Sequence, residues 1–466
     1  MLFNSHLFLV GFLPPALVFY VLVYRQETTR TWYLIAISLV FYAWWNPPFV
    51  LLLIGSVIVN WFAAAAFFAT ERKVFLVAAI VGDLGCLGFF KYANFLLNTA
   101  SWIGGYTLSP LDVFLPLGIS FFTFHHIIYL ADCMRGRARL YSFRDYALYI
   151  VLFPQILAGP IVRHNEIVPQ FSRTPWTENV AETFARALVL IVIGLAKKVL
   201  IADSLAQIAT PIFDKAAQGP ASLLAGGDAW LGILAFTFQI YFDFSGYSDV
   251  AIGLARLFGF TLPYNFDGPY RSLNVREFWR RWHMTLSRFL RDYLYIPLGG
   301  NRHGLPIQVY ALMATMLLGG LWHGAGWTFV TWGGLHGLAL ITVVLWQRQG
   351  LHLPPWAAWP VTFFFVVLTW VFFRASTFGA AAEMLRAMAG GGYGGWHFPV
   401  TTLNPWHSWI IGFAAALAIF GPTSQEVALV RLTPRRMSAV ATALAAVFVL
   451  MEIGNRGTQE FIYFHF

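Results

Sequence analysis

The sequence predicts an all-α, polytopic integral membrane protein with about 11 transmembrane helices, accompanied by interfacial and re-entrant helices. Hydrophobic residues make up 58% of the 466 residues and charged residues only 11%, a balance far from that of soluble domains. Aromatic residues account for 18%, and Trp and Tyr favour the membrane–water interface. Most of the chain also divides into apolar runs of about 20 residues, the length that crosses a bilayer core as a helix.

These apolar runs follow one another with only short polar segments between them. They cover approximately residues 7–24, 32–46, 49–69, 74–97, 112–131, 145–161, 184–203, 229–257, 308–346, 357–374, 406–421 and 438–452. The 308–346 run is long enough for two spans, or for one span and a re-entrant piece, because four glycines loosen its middle. The 145–161 run contains Pro154 and Pro160 and is either a re-entrant segment or a span, which leaves the number of crossings open. We expect one membrane-embedded domain over residues 1–466, with the first run retained as a span.

Basic residues lie mainly in short loops between the apolar runs, although the net charge is +9. They follow the first, third and fifth runs as Arg25 with Arg30, Arg72 with Lys73, and Arg135 with Arg137 and Arg139. Because short cytoplasmic loops are enriched in Lys and Arg, this pattern predicts an extracytoplasmic N-terminus and a lipid bilayer, rather than nucleic acid, as the partner. The two cysteines, Cys86 and Cys133, form no CxxC pair, so neither a disulfide nor a metal site is predicted.

Residues 274–299, NVREFWRRWHMTLSRFLRDYLYIPLG, interleave charged and aromatic residues at helical spacing, which is typical of a helix at the membrane surface. On a continuous helix one narrow stripe collects Arg276, Arg280, His283, Ser287 and Arg291. Asn274 is the expected N-cap, with Glu277 as its capping-box partner. Arginines in such helices commonly anchor to lipid headgroups, but this explanation suits His283 less well.

His323 lies in the strongly apolar segment GGLWHGAGWTFVTWGGLHG, residues 319–337. An ionisable residue at membrane depth is a functional hypothesis by default. Burial favours the neutral imidazole, which is the form that a general base needs. His336 would point about 220° away from His323 unless the glycines break the helix, so we favour His323 as the base and keep His336 as the second candidate. For His336, a packing or hydrogen-bonding role is the stronger alternative.

No acidic residue occurs within 30 residues of His323, so a Ser-His-Asp triad would need its acid from elsewhere in the chain. The intramembrane candidates are Asp243 and Asp249 in QIYFDFSGYSDVAIG, where Ser245 offers a hydroxyl. A structural hydrogen bond between helices is the alternative role for both carboxylates. Because the chain has no GxSxG elbow, direct base-assisted transfer is favoured over a covalent acyl-enzyme.

Several motifs then occur together. They are FSGYSDVAIG, NFDGPYRSLNVREFWRRWHMTLSRFLRDYLYIPLGGNR and GLWHGAGWTFVTWGGLHG, followed by VFFRA and a terminal FIYF. With these motifs, which are densest between residues 241 and 337, the chain resembles the membrane-bound O-acyltransferase family. Within that family it is most similar to the branch of alginate O-acetylation proteins and the related D-alanyl transfer protein of teichoic acids. The resemblance extends over nearly the whole chain.

The resemblance implies an acetyltransferase of the bacterial inner membrane, with helices arranged in a ring around a thinned centre. It identifies His323 of the WHG motif as the principal catalytic histidine, with Trp322 beside it, and His283 of the RWH motif as the second essential one. The implied donor is acetyl-CoA or another acyl thioester, with no bound cofactor. The implied acceptor is a polysaccharide or a periplasmic acetyltransferase, as in alginate biosynthesis. Arg276 and Arg280 are candidates to hold donor phosphates.

Two other functions remain open at the level of the sequence. A transporter or flippase for a lipid or polysaccharide precursor also uses many spans and few buried polar groups, although it would commonly show two matched halves. An intramembrane hydrolase would need a nucleophile paired with His323, for which Ser245 is the candidate. The acceptor polymer, the acyl length and the oligomeric state do not follow from the residues.

Overall fold

The computed structural model describes residues 1–177, 179–219, 223–395, 405–433, 435–457 and 459–464. Within these ranges the secondary structure is helical, without a β-strand. The α-helices are α1 (Leu13–Val23), α2 (Glu27–Ala43), α3 (Pro48–Thr70), α4 (Val74–Leu87), α5 (Ala93–Gly104), α6 (Ile119–Met134), α7 (Phe143–Val151), α8 (Phe153–Ile156), α9 (His164–Phe171), α10 (Val180–Ala196), α11 (Asp203–Ala216), α12 (Gly226–Leu257), α13 (Val275–Arg281), α14 (Met284–Leu290), α15 (Gly304–His323), α16 (Trp327–Arg348), α17 (Pro355–Arg374), α18 (Phe378–Arg386), α19 (Pro405–Phe420) and α20 (Arg436–Arg456). Short π-helical segments extend or join several of them, among them Leu7–Phe12, Gly88–Tyr92, Lys197–Ala202 and Arg291–Tyr295.

Six helical stretches in the described part of the chain are long and apolar enough to cross a membrane. They are Pro48–Thr70, Val74–Gly104, Gly304–His323, Trp327–Arg348, Pro355–Arg374 and Arg436–Asn455. Shorter apolar helices occur at Leu7–Val23, Ile119–Met134 and Trp409–Phe420. Their outward faces carry large apolar side chains such as Trp102, Trp356 and Phe420, each more than 80% exposed, which suits contact with lipid. The predicted all-helical membrane fold is confirmed.

The 145–161 run does not cross the protein as one helix. Helix α7 has nine residues, about 14 Å of rise, which is half the thickness of a bilayer core. The chain then breaks at Leu152 and continues through α8 into a buried, non-helical stretch. Three side chains accept hydrogen bonds from backbone N–H groups that have no helical partner there. Ser38 Oγ accepts from Phe153 N at 3.0 Å, Thr285 Oγ1 accepts from Ile161 N at 2.9 Å, and His125 Nε2 accepts from Val162 N at 3.2 Å. Non-helical backbone at this depth is thus buried in protein, as a membrane environment requires.

Helix α12 is the central element of the bundle. Its 32 residues rise about 48 Å, and nearly all of them are buried. It supplies residues to both hydrophobic clusters of the protein, one built mainly on the N-terminal half of the chain and the other mainly on the C-terminal half. It packs directly on α10, where a Cβ on Gly194 would lie 2.5 Å from the backbone oxygen of Gly246. Only small residues permit this approach, which brings the acidic side chains of α12 close to the lysines that follow α10.

The 308–346 run forms two helices, α15 and α16, joined by a turn at Gly324–Gly326. This outcome selects the two-span alternative. The helices pack closely, since a Cβ on Gly333 would lie 2.2 Å from the backbone oxygen of Met316. Helix α15 rises about 30 Å over 20 residues and ends at His323, so that this histidine lies at one end of a span rather than in its middle.

Candidate functional site

The predicted continuous helix over 274–299 is interrupted next to the histidine that it carries. Helix α13 ends at Arg281, Trp282 is extended, and His283 has φ +42° and ψ +54° at the start of α14. A left-handed backbone costs a residue other than glycine roughly 1–2 kcal/mol. The predicted N-cap is present, with Asn274 Oδ1 accepting from Glu277 N at 2.9 Å. The prediction that His283 shares one stripe with the arginines is wrong, because the break turns its ring into the protein core.

Hydrogen bonds to Asn265 fix this break. The backbone carbonyl oxygen of Asn265 accepts from Met284 N at 2.9 Å, and the side-chain Oδ1 of Asn265 lies 3.0 Å from His283 Nδ1. Thr285 also donates to Asn265 Oδ1 from its hydroxyl, at 3.0 Å. Because Oδ1 can only accept, His283 Nδ1 carries the proton and Nε2 is the basic nitrogen. His283 is fully buried, and its Nε2 has no hydrogen-bond partner among the described residues.

His323 is enclosed by aromatic rings. Its ring centroid lies 4.9 Å from that of Trp322, 5.1 Å from Trp332, 5.4 Å from Phe373 and 5.8 Å from Tyr463. The side chain is 3% exposed, and neither ring nitrogen has a hydrogen-bond partner in the described part of the chain. A buried polar atom without a partner is rare in proteins, and substrate can supply the missing contact. No carboxylate among the described residues orients this imidazole, so neither Asp243 nor Asp249 supplies the acid of a triad here.

A cavity of about 630 Å³ contains His323 in its wall. We call it the His323 cavity. Trp44, Trp45 and Phe114 line it at the face that also holds Met1, and Lys91 and Tyr463 line it near His323. It is large enough for a sugar-sized or peptide-sized group, because small-molecule pockets begin at about 300 Å³.

A second cavity, of about 730 Å³, lies at the opposite end of α15. We call it the arginine cavity, because Arg276, Arg280, Arg288 and Arg291 line it. Its polar mouth leads to an apolar interior that includes Leu290, Leu312 and Met316. The predicted stripe is therefore correct for its arginines and for Ser287, all of which face this cavity.

The four arginines differ in how their charges are balanced. Arg288 forms a bidentate pair with Glu166, at 2.5 and 2.9 Å, and Arg291 pairs with Asp292 at 2.6 Å. Burial raises the pKa of Asp292, but hydrogen bonds from Arg291 and Arg163 outweigh it and hold the pKa below its usual value. Arg276 and Arg280 have no carboxylate partner among the described residues, and Arg276 donates to Gln347 Oε1 at 2.8 Å. Their charges are available to an anionic ligand.

The two cavities share no lining residue among those described. Met316 lies seven residues before His323 on α15, about 10 Å along the helix, and closes the arginine cavity together with Met284 and Leu290. Packed side chains therefore separate the two cavities here. Methionine side chains are flexible and adapt readily to a ligand.

Asp243 and Asp249 of α12 form ion pairs with lysines and do not bond His323. Asp243 Oδ1 lies 2.5 Å from Lys198 Nζ, and Asp249 Oδ2 lies 2.7 Å from Lys197 Nζ. Lys197 also donates to Ser245 Oγ at 3.3 Å. In the structure the α12 carboxylates therefore take the interhelical role that the sequence offered as the alternative.

Trp322 contacts the ring of His323 directly, and His336 packs against Trp332, which also contacts that ring. Trp279 Nε1 donates to His336 Nδ1 at 3.2 Å, and His336 Nε2 lies 3.1 Å from Thr369 Oγ1. Both nitrogens of His336 are thus engaged, which suits a hydrogen-bonding role in the core. Trp322 stacks on Phe124 at 5.2 Å and contributes to the wall of the His323 cavity.

Lys91 is a site residue that the sequence analysis did not identify. It lies on the π-helical segment Gly88–Tyr92 and donates to the carbonyl oxygens of Trp322, at 2.6 Å, and His323, at 3.4 Å. These carbonyls end α15 and lack donors within the helix. The signal was present, because Lys91 and Asp83 are the two charged residues of the apolar run 74–97. Asn265 and Tyr463 were missed as well, and each lies within a motif that carries the resemblance.

The chain is similar in sequence to known membrane proteins. The family model for the membrane-bound O-acyltransferase family matches residues 26–380. A peptidoglycan O-acetyltransferase of Helicobacter pylori is 41% identical over 427 residues, which cover 84% of this chain and 80% of the relative. A probable alginate O-acetylase of Pseudomonas aeruginosa is 42% identical over 403 residues, 83% of this chain and 75% of the relative. A teichoic acid D-alanyltransferase of Streptococcus thermophilus is 27% identical over 243 residues, 50% of this chain and 58% of the relative.

Proposed function

The chain belongs to the membrane-bound O-acyltransferase family, and on that premise we propose that it transfers an acetyl group from a cytoplasmic thioester to a hydroxyl group on the extracytoplasmic side. The donor is acetyl-CoA or another acyl thioester, which enters the arginine cavity. The acceptor enters the His323 cavity. The observation that carries the proposal is the placement of these two cavities at opposite ends of α15, with His323 at the end of that helix.

The reaction is a direct transfer assisted by a base. The acceptor oxygen attacks the thioester carbonyl carbon while a ring nitrogen of His323 takes the hydroxyl proton. The carbonyl oxygen becomes an oxyanion, the carbon–sulfur bond then breaks, and the thiolate recovers the proton from His323. His283, whose ring centroid lies 6.1 Å from that of Trp322, holds its basic Nε2 in the same buried region.

Lys91 supports this chemistry in two ways. By capping the carbonyls that end α15 it fixes the peptide that carries His323. Lys91 also lines the His323 cavity, where a hydrogen-bond donor stabilises the developing oxyanion.

The sidedness follows from the loops. The basic loops after α1, α3 and α6 lie at the ends of these helices away from Met1 and Trp44. The positive-inside rule then gives an inner-membrane protein with an extracytoplasmic N-terminus. On this assignment the His323 cavity faces the periplasm and the arginine cavity faces the cytoplasm, where acyl thioesters occur.

The acceptor is an exopolysaccharide, reached directly or through a periplasmic acetyltransferase. Relatives at nearly equal identity are named for peptidoglycan and for alginate, which supports a cell-surface polysaccharide as the acceptor class. A transporter or flippase is disfavoured, because the family is one of acyltransferases and the sequence shows no two matched halves.

Purified protein in proteoliposomes tests this function. With acetyl-labelled CoA and a short uronic acid oligosaccharide, we expect the label to appear as an alkali-labile ester on the oligosaccharide. If labelled acetate alone formed at the same rate with and without oligosaccharide, the protein would be a hydrolase. If an intermediary protein carries the acetyl group, the label should appear on a periplasmic acetyltransferase that is added as the acceptor.

A further inference from the structure

A third cavity, of about 460 Å³, lies beside the arginine cavity. We call it the Arg302 cavity, and its lining consists of Arg135, Arg137, Asp292, Ile296, Pro297 and Arg302. Two of these arginines belong to the basic loop after α6, so the cavity lies on the face that is assigned to the cytoplasm. Ile296 lines the arginine cavity as well. A ligand that fills the arginine cavity can therefore extend past Ile296 into the Arg302 cavity.

The Arg302 cavity carries an excess of positive charge. The carboxylate of Asp292 in its wall is already engaged, because Oδ1 accepts from Arg291 Nε at 2.6 Å and Oδ2 accepts from Arg163. Arg137 and Arg302 form no ion pair within the described ranges of the chain. Guanidinium groups without a carboxylate partner on one concave surface favour an anionic ligand.

The cavity is formed by two segments that are distant in the sequence and fixed against each other. The Arg135 guanidinium lies 5.1 Å from the ring centroid of Tyr293, and Arg135 Nη1 donates to the carbonyl oxygen of Asp292 at 3.3 Å. On the second segment, Gly300 has φ +56°, a left-handed conformation that suits glycine, and the turn that it forms leads to Arg302. The loop after α6 and this turn thus each contribute arginines to one site.

We propose that the Arg302 cavity binds the 3′-phosphate of coenzyme A through Arg137 and Arg302, and that the acyl donor is a CoA thioester rather than an acyl group on a carrier protein. The inference rests on the proposed function, since it concerns the donor of the same transfer. In CoA a single ribose joins the 3′-phosphate to the 5′-pyrophosphate, from which the pantetheine arm extends. Two adjacent cationic cavities match this arrangement, with the pyrophosphate at Arg276 and Arg280 and the arm in the apolar interior of the arginine cavity.

The chemistry of the site favours a phosphate monoester. Such a group carries about two negative charges at pH 7 and has three free oxygens, which suits the forked donors of two guanidinium groups. The phosphodiesters of most phospholipid headgroups and of protein-bound phosphopantetheine carry less charge and have fewer free oxygens. The 3′-phosphate of CoA is therefore the part of the donor that this cavity distinguishes.

Acetyl-3′-dephospho-CoA tests the proposal, because it differs from acetyl-CoA in this phosphate alone. For the unmodified protein we expect a donor KM at least about 100-fold higher for acetyl-3′-dephospho-CoA than for acetyl-CoA, with kcat changed little, since two hydrogen bonds between charged groups are lost. The double replacement Arg137→Ala and Arg302→Ala should raise the KM for acetyl-CoA by the same factor and leave the KM for the dephospho donor within about twofold. Equal KM values for the two donors in the unmodified protein would overturn the subsite, as would a KM ratio that the double variant retains.

Arg139→Ala is the matched control for the double variant. Arg139 lies on the same loop as Arg137, is exposed and does not line the Arg302 cavity, and its guanidinium lies 6.0 Å from the ring centroid of Tyr141. We expect its KM ratio for the two donors to equal that of the unmodified protein. If Arg139→Ala abolished the ratio as fully as the double variant, the general charge of this face would explain the preference and the subsite would be lost.

The lipid composition of the vesicles distinguishes a CoA phosphate from a lipid headgroup. The KM ratio is measured in phosphatidylcholine vesicles and in vesicles that also contain phosphatidylglycerol. We expect the same ratio in both. A ratio near one in the vesicles with phosphatidylglycerol would show that lipid headgroups occupy the Arg302 cavity, and it would overturn the assignment to CoA.

The proposed function and this inference fail separately, because CoA binding measured by calorimetry requires no transfer. If the unmodified protein transfers acetyl groups equally well from both donors, only the subsite is lost. If it transfers none but binds CoA more tightly than 3′-dephospho-CoA, and the double variant removes this difference, the proposed function is lost and the subsite stands. Should the double variant fail to fold, Arg302→Ala alone is judged by the same comparison, with an expected reduction of the KM ratio of at least about tenfold.

Discussion

Replacement of His323 by alanine is expected to lower kcat for acetyl transfer about 10³-fold, because it removes the general base. Both ring nitrogens are without a partner among the described residues, so the replacement breaks no hydrogen bond there. It should therefore destabilise the fold less than the replacement of a hydrogen-bonded histidine. The KM for the thioester should change little, since the donor phosphates bind at the other end of α15. Initial rates of ester formation at saturating donor and acceptor measure this effect.

His303→Ala is the matched control for the His323 variant. His303 directly precedes the same helix, is exposed, and lies about 30 Å away along α15. Its replacement should leave kcat within about twofold of the unmodified protein. If His323→Ala retained more than a tenth of the rate while eluting as a folded protein, the base would have to be another residue.

The double replacement Arg276→Ala and Arg280→Ala is expected to raise the donor KM at least about 100-fold, because hydrogen bonds to charged groups contribute roughly 1.5–3 kcal/mol each. Both side chains line the arginine cavity without a carboxylate partner among the described residues. The rise in donor KM should be smaller for a truncated donor, acetyl-pantetheine, which lacks the nucleotide phosphates. Steady-state kinetics with both donors separate the phosphate contribution from a general loss of binding.

Arg281→Ala provides the comparison on the same helix. Arg281 pairs with Glu277 at 3.0 Å and with Asp267 at 3.4 Å, and it does not line the arginine cavity. We expect the donor KM of the Arg281→Ala variant to stay close to that of the unmodified protein. An equal rise in KM for Arg281→Ala, or an unchanged donor KM in the double variant, would contradict a phosphate site at Arg276 and Arg280.

The helical membrane fold could be predicted from the sequence because length and polarity decide it locally. Apolar runs of about 20 residues must satisfy their backbone internally, and a helix is the simplest way to do so. The glycines of the 308–346 run also indicated that it divides, and the structure places the turn at Gly324–Gly326. The local sequence also predicted the N-cap at Asn274, because this cap is a hydrogen bond between residues only three positions apart.

The break before His283 could not be predicted, because its cause lies outside the helix. Periodicity continues smoothly through RRWHMTLSR, and nothing in that stretch disfavours a continuous helix. The left-handed turn at His283 is fixed by Asn265, on a segment that the sequence does not show to be adjacent. Here tertiary hydrogen bonds override the preference of the local sequence for a continuous helix.

The roles of the charged residues at membrane depth were equally hidden. Asp243 and Asp249 are separated by about 50 positions from their lysine partners, and close packing of α10 on α12 brings them together. Lys91 could be recognised as unusual, but its partners are carbonyl oxygens more than 200 positions away. Sequence alone identifies such residues as candidates, and their contacts depend on the helix packing.

Transfer across a sealed membrane tests the central claim most directly. The protein is reconstituted in one orientation, with labelled acetyl-CoA confined to the side of the arginine cavity and an impermeant oligosaccharide or periplasmic acetyltransferase confined to the side of the His323 cavity. Labelled ester on the acceptor, abolished by His323→Ala, is the predicted result. Ester formed only when donor and acceptor are on the same side would contradict a site that joins the two faces at His323.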